Sequence, residues 1–210
     1  MKKFKLSVIL LFAAMLMFSA CGGGGGGGGS DDPDNPGDNP GDDPDKTAPG
    51  EMIKNGDFSL SDLKWGTYIE KDSGAVARID FTGGQCTIDI TNGGLNHYCV
   101  QISTHYYLAV EAGKTYTILY SLKGTAGMYL STLIQESGTD VDGDGDLWNY
   151  YSWKKTIATG DWQTDSFTFT SPISNPGMTI SFNVGSGYAN GNNNGTRIII
   201  DNVSMKEIFP

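Results

Sequence analysis

The sequence predicts an all-β fold, a β-sandwich jelly roll, for its last 160 or so residues. Three observations predict it. Of the 210 residues 30 are Gly and 11% aromatic while only 18% are charged, a composition that suits strands and turns better than helices, whose exposed faces need Lys, Glu and Arg. From Glu51 onward, apolar and polar residues alternate in short runs separated by turn residues. No apolar stripe of period 3.6 lasts for three turns. The runs place strands near residues 75–81, 85–90, 98–102, 115–123, 128–135, 162–170, 178–184 and 197–206. Eight or more antiparallel strands at this spacing suit two packed sheets. Trp65, Tyr116, Tyr120 and Trp162 read as core aromatics.

Ahead of this domain lie two segments of other character. Residues 1–20 combine Lys2, Lys3 and Lys5 with an apolar stretch from Leu6 to Phe18 and the small pair Ser19-Ala20 before Cys21, a pattern that resembles a bacterial lipoprotein signal. In that family cleavage precedes the cysteine, which is then acylated, so Cys21 is expected to be a membrane anchor at the outer membrane or cell surface. Residues 21–50 continue with eight Gly and an Asp, Asn and Pro tract in which seven Asp face one Lys. With no apolar side chain to bury, this stretch is expected to be a spacer. Residues 51–210 remain as the folded domain.

The formal charge of -10 and the presence of just two Arg, Arg78 and Arg197, exclude nucleic acid and anionic headgroups as expected partners, since phosphate binding relies on clustered cations. Asn92-Gly93 between two strand patterns reads as a type I′ hairpin turn. That register sets Ile90 opposite Leu95, Ile88 opposite His97 and Cys86 opposite Cys99 on one face, with Gln85, Thr87, Tyr98 and Val100 on the other. Cys86 and Cys99 then either bridge or sit as two small buried thiols.

Several blocks, in order, resemble the carbohydrate-binding modules of the family 4, 9 and 22 type. They are Asn55-Gly-Asp-Phe-Ser59 followed by Trp65, the stretch from Val110 to Lys123 with its Gly-Lys-Thr-Tyr-Thr, the strand carrying Phe167 and Phe169, and the closing Ile200-Asp-Asn-Val-Ser-Met205. The resemblance implies a jelly roll with a sugar-binding cleft across its concave sheet. The residue types suit that implication, because sugar rings are held by aromatic faces against their C–H surfaces and by amides and hydroxyls that replace water. By resemblance the contacts fall on Tyr68, Tyr98, Val100, Gln135 and the row Thr179, Ser181, Asn183. A platform aromatic is expected among Trp148, Tyr150, Tyr151 and Trp153, with Trp148 and Tyr150 foremost. Where the family has Gln on the final cleft strand, this chain has Thr179 and Asn183.

The family also implies a structural Ca²⁺ away from the cleft, matched by Asp57, Gly83 and Asp201. A second candidate is the loop Asp140-Val-Asp142-Gly-Asp144, whose alternating carboxylates imitate the start of a calcium loop but lack its twelfth-position acid; a solvated acidic loop is the alternative. Catalysis finds little footing, since His97 and His105 stand apart and no paired carboxylates, nucleophile set or zinc spacing is apparent. The first expectation is therefore a non-catalytic, surface-anchored module that captures a β-glycan of glucan, xylan or mannan type for separate glycan-degrading enzymes. A structural or adhesive sandwich that binds a protein is the alternative, and a jelly-roll lyase or hydrolase the third.

Overall fold

The structure is a computed structural model that describes residues 49–136, 150–187 and 191–209. Trp148 and the Asp140, Asp142, Asp144 loop lie outside the described residues. Among the described residues eleven strands form two antiparallel sheets: β1 (Trp65–Ile69), β2 (Val76–Thr82), β3 (Gln85–Asn92), β4 (Val100–Thr104), β5 (Leu108–Val110), β6 (Thr115–Gly124), β7 (Tyr129–Glu136), β8 (Tyr150–Ile157), β9 (Gln163–Thr170), β10 (Asn175–Asn183) and β11 (Thr196–Ile208). One sheet runs β1-β4-β10-β7-β8 with the short β5 beside β10, and the other runs β2-β3-β11-β6-β9. This is the jelly-roll sandwich expected from the alternating pattern.

Between the sheets lies a core to which each strand contributes alternate side chains. Ile180 and Phe182 of β10 meet Ile118, Tyr120 and Leu122 of β6 and Ile198 and Ile200 of β11, all fully buried. Phe182 stands edge-on to Tyr120 with centroids 5.1 Å apart, and Trp65 packs at 6.2 Å on its other side. Trp65 keeps its indole N–H satisfied by donating to the Asn55 carbonyl at 2.9 Å, and Gly56 next door has no room for a side chain, since a Cβ there would lie 1.9 Å from the Val203 carbonyl oxygen.

A polar latch closes the sandwich along the edge where β8 and β9 meet. Tyr120 Oη hydrogen-bonds to Thr156 Oγ1 at 2.9 Å, while Asp165 accepts from both the Thr156 hydroxyl and the Lys154 ammonium. Lys154 also donates to the Ser166 carbonyl at 2.8 Å. The buried Tyr120 and Thr156 hydroxyls and the Asp165 carboxylate thus partner one another, which is the condition for such a network to stabilise.

Three expectations need correction. The type I′ turn is Gly83-Gly84, both at positive φ (63° and 73°), joining β2 to β3. Asn92-Gly93 makes no hairpin: Gly93 N–H donates to Asn194 and its carbonyl accepts from Ser186 N–H, so the chain leaves one sheet and enters the other. The opposed Cys86 and Cys99 vanish with that register. Cys86 faces the core from β3, whereas Cys99 closes a 3-10 turn (His97–Cys99) and donates to Glu70 Oε2 at 2.8 Å; both thiols are free. Finally, Trp162 is half exposed, because it precedes β9 and lies outside the ladder, while Trp65, Tyr116 and Tyr120 are buried as expected.

Candidate functional site

The outer faces of the two sheets differ. On the β6 and β9 side the outward residues, such as Leu119 and Ser166, meet solvent. On the β10 and β7 side the outward residues Thr179, Ser181, Asn183, Ser131, Leu133 and Gln135 are buried although none belongs to the core between the sheets. Flanking strands carry exposed side chains on this same face, so the centre is a floor and the edges are walls.

Register orders the floor into rows across the strands. Tyr68 pairs with Gln101, Gln101 with Asn183, Asn183 with Ser131 and Ser131 with Lys155. A second row runs Gly66, Ser103, Ser181, Leu133, Trp153. A third holds Thr179, Gln135 and Tyr150. Four interstrand steps of about 4.8 Å make each full row roughly 19 Å long. A bulge between Ile134 and Gln135 lets Tyr151 turn to the core and leaves both Tyr150 and Trp153 on the floor side, about half exposed.

The floor carries neutral hydrogen-bonding groups. Ser181 Oγ is fully buried with no hydrogen-bond partner among the described residues. Asn183 Nδ2 lies 3.1 Å from His97 Nδ1 and donates to it, and burial pushes the His97 imidazole down, which keeps that nitrogen an acceptor. His97 brings the neighbouring Tyr98 to the rim, with the two rings edge to face at 5.6 Å and the Tyr98 hydroxyl accepting from Asn96 at 3.0 Å. Burial, then the Glu70 carboxylate, raises the Tyr68 and Tyr98 phenols, and each also feels a neighbouring tyrosine: Tyr98 for Tyr68, Tyr150 for Tyr98. Both phenols therefore keep their protons at neutral pH and can donate as well as accept.

Of the residues expected to line the cleft, Tyr68, Gln135, Tyr150, Thr179, Ser181 and Asn183 share this face, with Tyr98 at its rim. Val100 does not. It is fully buried in the core, one residue out of phase, because the strand begins after the 3-10 turn rather than at Tyr98. Gln101, Ser103 and Lys155 went unassigned from sequence; the alternation of Val100 to Thr104 would have found the first two once Val100 was turned inward.

The chain has a carbohydrate-binding domain match over residues 50–194. It belongs to the carbohydrate-binding domain family. A solved structure of a family 4 carbohydrate-binding module is 25% identical to this module, covers 74% of this chain and 99% of its own, and superposes with a TM-score of 0.61. The second N-terminal cellulose-binding domain of Cellulomonas fimi β-1,4-glucanase C is 20% identical, with 76% of this chain and 95% of that one covered and a TM-score of 0.54. Its N-terminal neighbour is 18% identical over 70% of this chain and 90% of its own, at 0.50. No curated protein matches. As a family member the module binds carbohydrate, and the aromatic walls over an amide and hydroxyl floor make this face the candidate surface for it.

Away from that surface, the residues matched to the family calcium position converge at one corner. The Asp57 carbonyl lies against Gly84, 3.4 Å from where a Cβ would stand, and Gly56 pairs with Val203, two residues from Asp201. Among the described residues no three acidic, His or Cys side chains meet at this corner or elsewhere. On the solvent side of the other sheet a shallow groove of about 290 Å³ is lined by Trp162, Ser121, Asp201 and Asn202 among others. Its Gln163 is committed to the Thr159 N–H and the Ile157 carbonyl.

Proposed function

We propose that this module is a non-catalytic receptor for a β-linked glycan of the glucan, xylan or mannan type, carried on a bacterial outer-membrane or cell-surface lipoprotein and serving separate glycan-degrading enzymes. One observation carries the glycan reading: buried, neutral hydrogen-bonding side chains, Ser181 and Asn183 foremost, form the floor of a strip walled by Tyr68 and Trp153. A flat-ringed ligand with hydroxyls along its edges satisfies both. The related folds of the Cellulomonas fimi cellulose-binding domains, and of a Clostridium thermocellum xylanase module solved with xylohexaose at a TM-score of 0.50, support a β-1,4 backbone. Calcium would be held by Asp57, the Gly83 carbonyl and Asp201, where it would brace the β2-β3 turn against β11 and take no part in sugar contact.

Affinity electrophoresis through gels with and without soluble β-glucan, xylan or mannan tests the ligand class. The native protein is expected to be retarded by at least one polymer, and Trp153→Ala or Tyr68→Ala to lose about 1–2 kcal/mol of binding, roughly tenfold. Free migration of the native protein through every gel would end this reading. The anchor rests on Cys21 behind its apolar signal. Changing Cys21→Ser is expected to move the protein from the membrane fraction to the soluble one, and retention at the membrane would refute lipidation.

A further inference from the structure

At the end of the first floor row stands Lys155, and its setting is unlike that of the other cleft residues. The side chain is exposed. Its ammonium lies 3.8 Å from the centroid of the Tyr129 ring, a close cation–π contact. Tyr129 is itself fixed: its N–H donates to Asn193 Oδ1 at 3.0 Å, its carbonyl accepts from Asn193 Nδ2 at 2.6 Å, and Gly191 lies close against its ring. Asn193 is fully buried. Two other lysines of the domain meet carboxylates, Lys114 with Glu111 and Glu207, and Lys154 with Asp165. Lys155 meets no carboxylate among the described residues. An aromatic shelf thus orders a cation beside Ser131 and, among the described residues, leaves its charge without an anion.

We propose that Lys155 reads an acidic substituent, the carboxylate of a uronic acid, on the glycan lying in the strip. The proposal rests on the glycan reading above and narrows its substrate class. A polymer charged on every ring is a poor fit, because the rest of the floor is neutral and the chain carries a formal charge of -10. The ligand is instead a mainly neutral backbone with sparse acidic branches, one of which falls at the β8 wall.

Glucuronic-acid-bearing xylan and the same xylan after reduction of its carboxyls to alcohols make the test pair, since they share a backbone and differ only at the acidic group, and the salt dependence isolates the charge. Retardation of the native protein should be about two- to fivefold stronger with the acidic form, the range of an exposed ion pair, and the difference should fade at 0.5 M NaCl as screening shortens to a few ångströms. K155Q should bind both forms as the native protein binds the reduced one, and K155E should prefer the reduced form. An unchanged melting temperature in both variants confirms that the fold is kept. Equal retention of the two forms by native protein, or a preference that survives in K155Q, overturns the proposal and leaves the glycan reading standing. Retention of neither form and of no neutral glycan overturns the reading beneath it as well.

Discussion

Ser181 shows how a single side chain separates binding from stability. Its hydroxyl is fully buried on the floor and bonded to nothing among the described residues, so folding has already removed it from water without return. Ser181→Ala should then leave thermal stability within about 0.5 kcal/mol of native or raise it slightly, while weakening glycan binding by about 0.5–1.5 kcal/mol, one neutral hydrogen bond. Calorimetry and a binding titration on the same preparation check both halves; a large loss of stability with unchanged affinity would mean that the hydroxyl serves the fold. Phe182, one residue along and facing the opposite way, is the contrast. Its ring fills the core between Tyr120 and Trp65, and removing it belongs to the class of substitutions that cost about 3–5 kcal/mol.

Among the elements, β8 repays the closest look because it is both cleft wall and latch. Burial works against charge on Asp165, but the Lys154 ammonium, the Thr156 hydroxyl and the Ser166 N–H outweigh it and hold the carboxyl below its usual range. A carboxyl depressed in the folded state contributes stability that is present above the unfolded value near 3.9 and lost as pH falls through the folded one. The β8-β9 edge should therefore loosen below about pH 4, and Asp165→Asn should lower stability at pH 7 by about 1.5–3 kcal/mol, the worth of a hydrogen bond to a charged group, while flattening the acid limb. Denaturant melts at pH 7 and pH 3 check this, an unaltered acid limb in the variant being the contrary result. This strand was illegible in the sequence. Tyr150-Tyr-Ser-Trp-Lys-Lys155 does not alternate, because the bulge at Tyr151 breaks the period and an edge strand exposes both faces. β5 is three residues long and β1 follows Lys64 at φ 73°, so neither offers a run to detect. The central strands, buried on one side and half-lined with polar residues on the other, declared themselves by period two, and with them Thr179, Ser181, Asn183 and Gln135 of the site. The Asn92-Gly93 turn misled because dipeptide chemistry is local, whereas the partner of Gly93, Ser186, is distant in sequence.

At the scale of the whole domain, both ends of the fold are tied together. Glu51 accepts from the Met205 N–H at 2.8 Å and from the Ser204 hydroxyl, and the corner holding Asp57, Gly84 and Asp201 sits beside this tie. A cation bound there would link β11 to the N-terminal turn and to the β2-β3 hairpin at once. Calcium is expected to raise the melting temperature, by an increment set by its concentration over its dissociation constant; the rise should disappear in Asp201→Asn and persist when Asp140, Asp142 and Asp144 are changed together to Asn. A rise lost only in the triple variant would move the ion to that loop.

The place of β10 has a further consequence for how the protein comes into being. It lies between β4 and β7, neither of them its neighbour in the chain, and it supplies Thr179, Ser181 and Asn183. Until synthesis has passed residue 183, the two halves of the candidate surface have no middle. Such distant pairings form slowly, so glycan binding is expected to appear late in refolding, once β10 has docked between β4 and β7.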